Sequence, residues 1–257
     1  MPIAKLDRTI VRLSGEGVDA WLDGLITNNL KSDITFAALL TPQGKIIADF
    51  FVTKDDAGLI IDTPEKFGAV LHKRLKMYKL RAPITIEDLS ETHSVYVLWD
   101  GEGNVGHTDP RLPALGQRLI SDDVLNGDGD YNAHRLSLGM PDSAWDFETQ
   151  TTFAADANMD LINGVDFKKG CFVGQEVVSR MKRMTTVKKR FRGLVFEGKA
   201  NAGDDIKATE RVVGNVLFVH GTMGMGMIRL DRLKSAAENP AVNGHPVQIM
   251  GGPDGSD

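Results

Sequence analysis

The residues of this chain best able to do chemistry together lie in one stretch, Lys168-Lys169-Gly170-Cys171-Phe172-Val173-Gly174-Gln175-Glu176-Val177-Val178-Ser179-Arg180. It holds the only cysteine of 257 residues. The thiolate is the nucleophilic and metal-binding form of that side chain, and Lys169 or a nearby helix N-terminus would favour it. Gly170 and Gly174 bracket the thiol; glycine opens backbone angles closed to other residues and lets a ligand approach the main chain. A buried carboxylate at Glu176 can accept two parallel hydrogen bonds, such as those offered by a 2-amino-4-oxo pterin edge. Arg180, one turn later, presents a planar fork suited to a carboxylate such as a folate's glutamate tail. It could equally pair with Glu176 at i,i+4. The plainer readings are a cysteine that packs as a small hydrophobe and an acid–arginine pair that decorates a surface.

These residues need elements to hold them. After Gly174 the pattern turns helical, with Val177, Met181 and Met184 on one face and Gln175 and Glu176 in the first turn, where the helix dipole favours an acid. Upstream, Ile10 to Ser14, Phe36 to Leu40, Ile46 to Thr53, Leu59 to Asp62, Ile84 to Ile86, Val95 to Trp99 and Arg118 to Ile120 read as strands. Phe36–Leu40 and Ile46–Thr53 are joined by the turn Thr41-Pro42-Gln43-Gly44-Lys45. Helices are expected from Val18 to Leu25, after Pro64 with Phe67, Val70, Leu71 and Leu75 on its apolar face, and from Tyr131 to Leu138. Asp142 to Leu161 shows little periodicity. Beyond Val187 short β-type runs alternate with glycines, as in a small barrel.

Composition narrows the chemistry. One thiol excludes an internal disulfide, and excludes a cysteine-rich zinc site or an iron–sulfur cluster held by this chain's thiolates alone. The six histidines are scattered, so no metal site is expected. The net charge is −5, yet Lys168 to Arg192 carries +8, which leaves −13 for the rest. That local field suits an anionic ligand or partner. Few aromatics accompany it, so direct nucleic-acid binding is not expected. The longest apolar runs are too short to cross a bilayer, and Met1 to Asp7 does not read as a signal peptide. The expectation is a cytoplasmic protein without a membrane partner.

Lys169-Gly170-Cys171-Phe172-Val173-Gly174-Gln175-Glu176 with Arg180 resembles the signature of YgfZ-type folate-binding proteins. Other segments resemble that family in the same order: Leu25-Ile26-Thr27-Asn28-Asn29, Gly44-Lys45-Ile46-Ile47-Ala48-Asp49, Arg135-Leu136-Ser137-Leu138-Gly139-Met140-Pro141 and Phe153 to Asp160. Departures occur at Phe172 where tyrosine is common, Ala154 for proline, Asp156 for glutamate and Asn29 for aspartate. Met184-Thr185-Thr186 stands where an Arg-Gly-Thr-like turn is usual.

The resemblance implies an α+β fold, a three-module aminomethyltransferase-like ring. Residues 1–187 would form the folate-binding region, with a ferredoxin-like part at roughly 50–120. Residues 188–250 would form the C-terminal β-barrel and 251–257 a tail. The implied ligand is tetrahydrofolate or a derivative, held by Lys169, Gln175, Glu176 and Arg180, with Cys171 as the functional thiol. The implied partners are iron–sulfur client enzymes, including ones that modify tRNA, or assembly proteins. The implied role is assembly or repair of [4Fe–4S] enzymes. The alternative is a folate-dependent one-carbon transferase, for which Asp49 or Asp160 could handle protons.

Overall fold

In the computed structural model, residues 1–101, 103, 105–184, 187–236 and 239–253 are described. Thr185 and Thr186 of the expected turn, and residues 254–257 of the expected tail, fall outside them. The chain divides into two compact units, each discontinuous in sequence. The first is Met1–Asp130, Thr149–Thr151 and Asn163–Val177; the second is Tyr131–Glu148, Thr152–Ile162 and Val178–Asp257.

The first unit runs through β1 (Ile3–Leu6), β2 (Arg8–Gly15), α1 (Val18–Asp23), β3 (Ile34–Leu40), β4 (Ile46–Asp55), β5 (Gly58–Pro64), α2 (Glu65–Lys79), β6 (Ile84–Asp88), β7 (Ser94–Leu98), β8 (His107–Thr108) and β9 (Gln117–Ser121). Two antiparallel sheets result, ordered β3-β4-β5-β2-β6 and β1-β7-β9-β8. Every residue of β3 is buried, as are the first seven of β4, which explains their unbroken apolar runs. Phe36 and Phe51 meet across this pair, ring centroids 5.0 Å apart. Helix α2 buries Phe67, Gly68, Leu71 and Leu75. Gly68, not the expected Val70, is the close contact: a Cβ there would lie 2.1 Å from the Thr9 hydroxyl. Residues 50–120 contribute strands to both sheets.

The second unit begins with α3 (Tyr131–Ser137). Helix α4 (Gln175–Met184) follows, its first three residues counting with the first unit. A closed barrel completes it from β10 (Lys189–Phe196), β11 (Asp205–Ala208), β12 (Arg211–His220), β13 (Met223–Arg229), β14 (Ala241–Val242) and β15 (His245–Ile249), with the one-turn α5 (Leu230–Leu233) between β13 and β14. The order β10-β13-β12-β11-β14-β15 closes through β10 and β15, which leaves no open edge. Leu194, Phe196, Ile206, Val213, Val216 and Ile228 are among its core.

A fully buried ion pair sits under α3. Arg135 Nη1 and Nη2 donate to the two carboxylate oxygens of Asp146 at 2.9 and 3.2 Å, and neither side chain is exposed. Arg135 Nε donates to Asn132 at 2.7 Å, and the Asp142 N–H donates to Asp146 at 2.7 Å. Burial pushes the Asp146 carboxyl up, against the pull of Arg135.

Candidate functional site

The thiol loop is built by two segments far apart in the chain. The Asp166 N–H donates to the Thr27 carbonyl at 3.0 Å. The Thr27 hydroxyl donates to the Gly164 carbonyl at 2.6 Å and accepts the Ala38 N–H at 2.9 Å. The Asn28 amide donates to the Asn163 carbonyl at 2.6 Å. Residues 27 and 28 are thus the template on which 163–166 is laid. Thr27 is fully buried, so its hydroxyl satisfies groups that water cannot reach.

Lys169 closes the arrangement. Its Nζ donates to the carbonyls of Asp23, Ile26 and Asn28 at 2.6, 3.0 and 2.7 Å. An ammonium has three donors, and all three are used. The side chain is only 3% exposed, with the Asp23 carboxylate at 3.5 Å and the Phe172 ring centroid at 5.7 Å. Burial lowers the Lys169 ammonium's pKa, while the Asp23 carboxylate opposes that shift. Lys169 was expected to hold the ligand; its donors instead fasten the loop after α1 to the cysteine loop. Phe172 is buried, so losing a tyrosine hydroxyl there leaves this packing intact.

Two glycines then let the chain pass. Gly174 has φ 84°, and a Cβ on it would lie 2.7 Å from the Thr41 carbonyl. Gly44, in the turn between β3 and β4, has φ 78° and would drive a Cβ to 2.9 Å from Val177. A side chain at 174 would meet backbone and one at 44 would press on the Val177 side chain, and at both positions the positive φ adds strain for any residue but glycine. The turn after β3 therefore abuts the start of α4, which explains why both glycine motifs occur in one sequence.

Beyond this frame the remaining candidates are open to solvent. Cys171 is exposed. Glu176 and Arg180 are exposed, and Gln175 is half-buried. Among the described residues neither Glu176 nor Arg180 enters an ion pair. The expected buried carboxylate at 176 is therefore corrected: with no apolar surroundings it stays on the surface in the first turn of α4. Val178, rather than Val177, is the buried residue of that turn. A cavity of about 430 Å3 opens beside the loop, lined by Asp19, Asp23, Lys31, Lys168, Lys169 and Gly170 among others.

The departures have local reasons. Asn29 donates to the Asp166 carboxylate at 2.8 Å, which an aspartate could not do. Burial raises Asp166, but N–H donors from Lys168 and Asn29 outweigh it and hold the carboxyl below its usual range. In the second unit, Asp160 takes both nitrogens of Arg190 at 2.8 and 2.9 Å, so it is committed to an ion pair rather than poised as a base. Part of the +8 field is therefore internal, since Lys169 and Arg190 are each neutralised where they sit. Asp156 has its carboxyl raised by burial, with Lys189 and Arg190 pulling it down less strongly.

Asp156 yields a pH prediction. Its folded-state pKa lies above the unfolded one, so its contribution to stability is full below the unfolded value and is lost as pH rises through the folded value. Asp156→Asn should therefore raise the melting temperature at neutral pH, and the gain should shrink to nothing under acid conditions. A gain that persists in acid would exclude this account.

One cluster escaped sequence reading. In the first unit Asp62 accepts from Arg8 and Arg118, both at 2.7 Å, and Asp109 accepts from Arg111 at 3.0 and 2.8 Å. The Arg118 guanidinium lies 3.6 Å from the Phe51 ring centroid. The partners of Asp62 are 54 and 56 residues away in sequence, so spacing carried no signal.

Comparison with known proteins agrees with this architecture. Residues 182–250 match the family model described as CAF17, C-terminal beta-barrel domain. The chain is similar to the iron–sulfur cluster assembly factor IBA57 homolog, mitochondrial, of Neurospora crassa: 31% identity over 234 residues, covering 75% of this chain and 53% of that protein. The homologue of Mycosarcoma maydis is 30% identical over 223 residues, covering 74% and 55%. Human IBA57, mitochondrial, is 24% identical, covering 94% and 81%. The chain spans about half the length of the fungal relatives it matches. The crystal structure of glycine cleavage system aminomethyltransferase T from Bartonella henselae superposes with a TM-score of 0.74, covering 99% of this chain and 86% of that one at 11% identity. That likeness establishes the expected α+β, aminomethyltransferase-like fold. The cytoplasmic expectation is overturned, because the relatives are named mitochondrial proteins.

Proposed function

We propose that this chain is a tetrahydrofolate-binding factor of the YgfZ type that assists assembly or repair of [4Fe–4S] enzymes, with Cys171 as its functional thiol. The observation that carries the reading is the exposed Cys171 on a loop fastened by Lys169 and bracketed by Gly170 and Gly174. A thiol that merely packed would be buried. The names of the relatives support the iron–sulfur role, and the fold shared with an aminomethyltransferase supports the folate.

The residues present fit a reduced folate in part. Glu176 is solvent-facing and outside any ion pair among the described residues, so its two oxygens can accept the paired N–H donors of a pterin edge. Arg180 is likewise exposed and suits the glutamate tail. Lys169 is left out of the ligand set, since its donors are used. One thiolate cannot hold a cluster alone, so a cluster would be cargo shared with a partner's ligands.

The test is anaerobic calorimetric titration of tetrahydrofolate. Wild type should bind, and folded Glu176→Ala should bind at least about tenfold more weakly, a loss of ~1.4 kcal/mol. Cys171→Ser should bind folate as wild type does yet fail to support client-enzyme activity. If folded wild type binds no reduced folate, the folate reading falls. If Cys171→Ser supports full client activity, the thiol reading falls.

A further inference from the structure

A second basic patch lies on the solvent face of α2, away from the thiol loop in sequence and unused by it. Residues 66–81 hold six cations, Lys66, Lys73, Arg74, Lys76, Lys79 and Arg81, and no acid, in a chain of net charge −5. The inner side of α2 is set by Phe67, Gly68, Leu71 and Leu75. Lys66, Lys73, Lys76 and Met77, with Leu80 and Arg81 just beyond the helix, are exposed and recur at three- and four-residue spacing on the opposite side. Among the described residues Lys73, Arg74, Lys76, Lys79 and Arg81 enter no ion pair.

Two apolar side chains stand out among these cations. Met77 is 48% exposed and Leu80 is 84% exposed. Leu80 is turned outward by a backbone at φ 45°, ψ −108°, a conformation a side chain rarely adopts. Apolar tips ringed by exposed cations complement a surface that is anionic outside and apolar just beneath, which describes a bilayer bearing acidic headgroups. Four of the six cations are lysines, whereas protein interfaces are depleted in lysine and enriched in aromatic residues and arginine. The one aromatic on the turn, Tyr78, is half-buried, and its carbonyl lies 3.5 Å from the Trp21 indole N–H, so no base-stacking platform is offered.

We infer that this face of α2 rests reversibly on the surface of an anionic phospholipid bilayer. No helix of the described residues is long and apolar enough to cross a membrane, so the contact is peripheral. The expectation of no membrane partner came from the lack of a spanning segment and does not reach a surface contact of this kind. The inference is independent of the folate and thiol readings. With two apolar tips and mostly electrostatic attraction, binding is weak and falls with salt.

The test is flotation with vesicles of phosphatidylcholine alone and of phosphatidylcholine with about one-quarter phosphatidylglycerol. Wild type should float only with the anionic vesicles and only at low salt. Lys73→Glu/Lys76→Glu should lower binding at least about tenfold. Leu80→Ser should lower it severalfold with the salt dependence unchanged. Lys182→Glu/Arg183→Glu, in the other basic segment, should bind as wild type does. All these positions are exposed, and melting curves confirm that each variant folds. Failure of wild type to float with anionic vesicles overturns the inference, as does binding that follows residues 182 and 183. If Leu80→Ser binds vesicles normally and soluble polyglutamate binds wild type as well as vesicles do, the face docks an acidic protein instead.

Discussion

Lys169→Met should destabilise the first unit by about 3 kcal/mol while leaving the thiol intact. The substitution keeps the length of the side chain and removes only the ammonium. The carbonyls of Asp23, Ile26 and Asn28 then lose a shared donor in a place where the lysine side chain was 3% exposed. Each orphaned acceptor costs on the order of 1 kcal/mol, more if water cannot enter. Amide hydrogen exchange should quicken between residues 163 and 174, the stretch that Lys169, Thr27 and Asn28 hold. Lys169→Arg should not restore it, because a planar fork cannot aim three donors at converging carbonyls. Urea unfolding and exchange mass spectrometry read both effects. If Lys169→Met unfolds at the wild-type midpoint with unchanged exchange, the clamp is not what holds the loop.

Arg135→Met should cost the second unit about 3–5 kcal/mol. The guanidinium is fully buried and satisfies the Asp146 carboxylate, Asn132 and the Met140 carbonyl at once. Removing it leaves a carboxylate with, among the described residues, the Asp142 N–H alone to compensate it. That carboxyl is already raised by burial and rises further without Arg135. A raised carboxyl pKa means the folded state binds the extra proton, so the deficit should narrow as pH falls and widen toward neutrality. The double variant Arg135→Met/Asp146→Leu should recover most of the loss, since it removes the uncompensated charge altogether. A double variant as unstable as the single one would show that the arginine acts through packing against Phe218, whose ring centroid is 5.1 Å from it.

Sequence patterns exposed the parts of this architecture that repeat. The helix after Gly174, the paired strands β3 and β4, and the long barrel strands announced themselves through periodicity and bracketing glycines. Strands β1, β8, β11 and β14 did not, because two to four residues give too few alternations to register. The thiol was easy to single out as the chain's one cysteine. The task of Lys169 was not, because its partners are main-chain carbonyls, which every residue type carries alike. Glu176 reads as a buried carboxylate in the sequence and lies at the surface in the fold, because its helical position alone does not say which side faces solvent. The buried arginines were missed for a related reason. Arginine usually lies at the surface, and only the fold shows that Arg118 is 3% exposed beside Asp62.

The reach of Lys169 back along the chain sets the order in which the molecule is made. Its contacts with Asp23 and Asn28 span 146 and 141 residues. On a ribosome the loop after α1 emerges early and must wait, its carbonyls solvated, until residue 169 has cleared the exit. The first unit also needs residues 149–151 and 163–177, and the second begins before the first is finished. Neither unit can therefore mature while the chain is shorter than about 180 residues, and local contacts cannot speed the last step, because it is the closure of a long loop. A nascent chain stalled before Lys169 should be sensitive to protease across Asp23 to Asn29, and release past Gly174 should protect that segment in a single step.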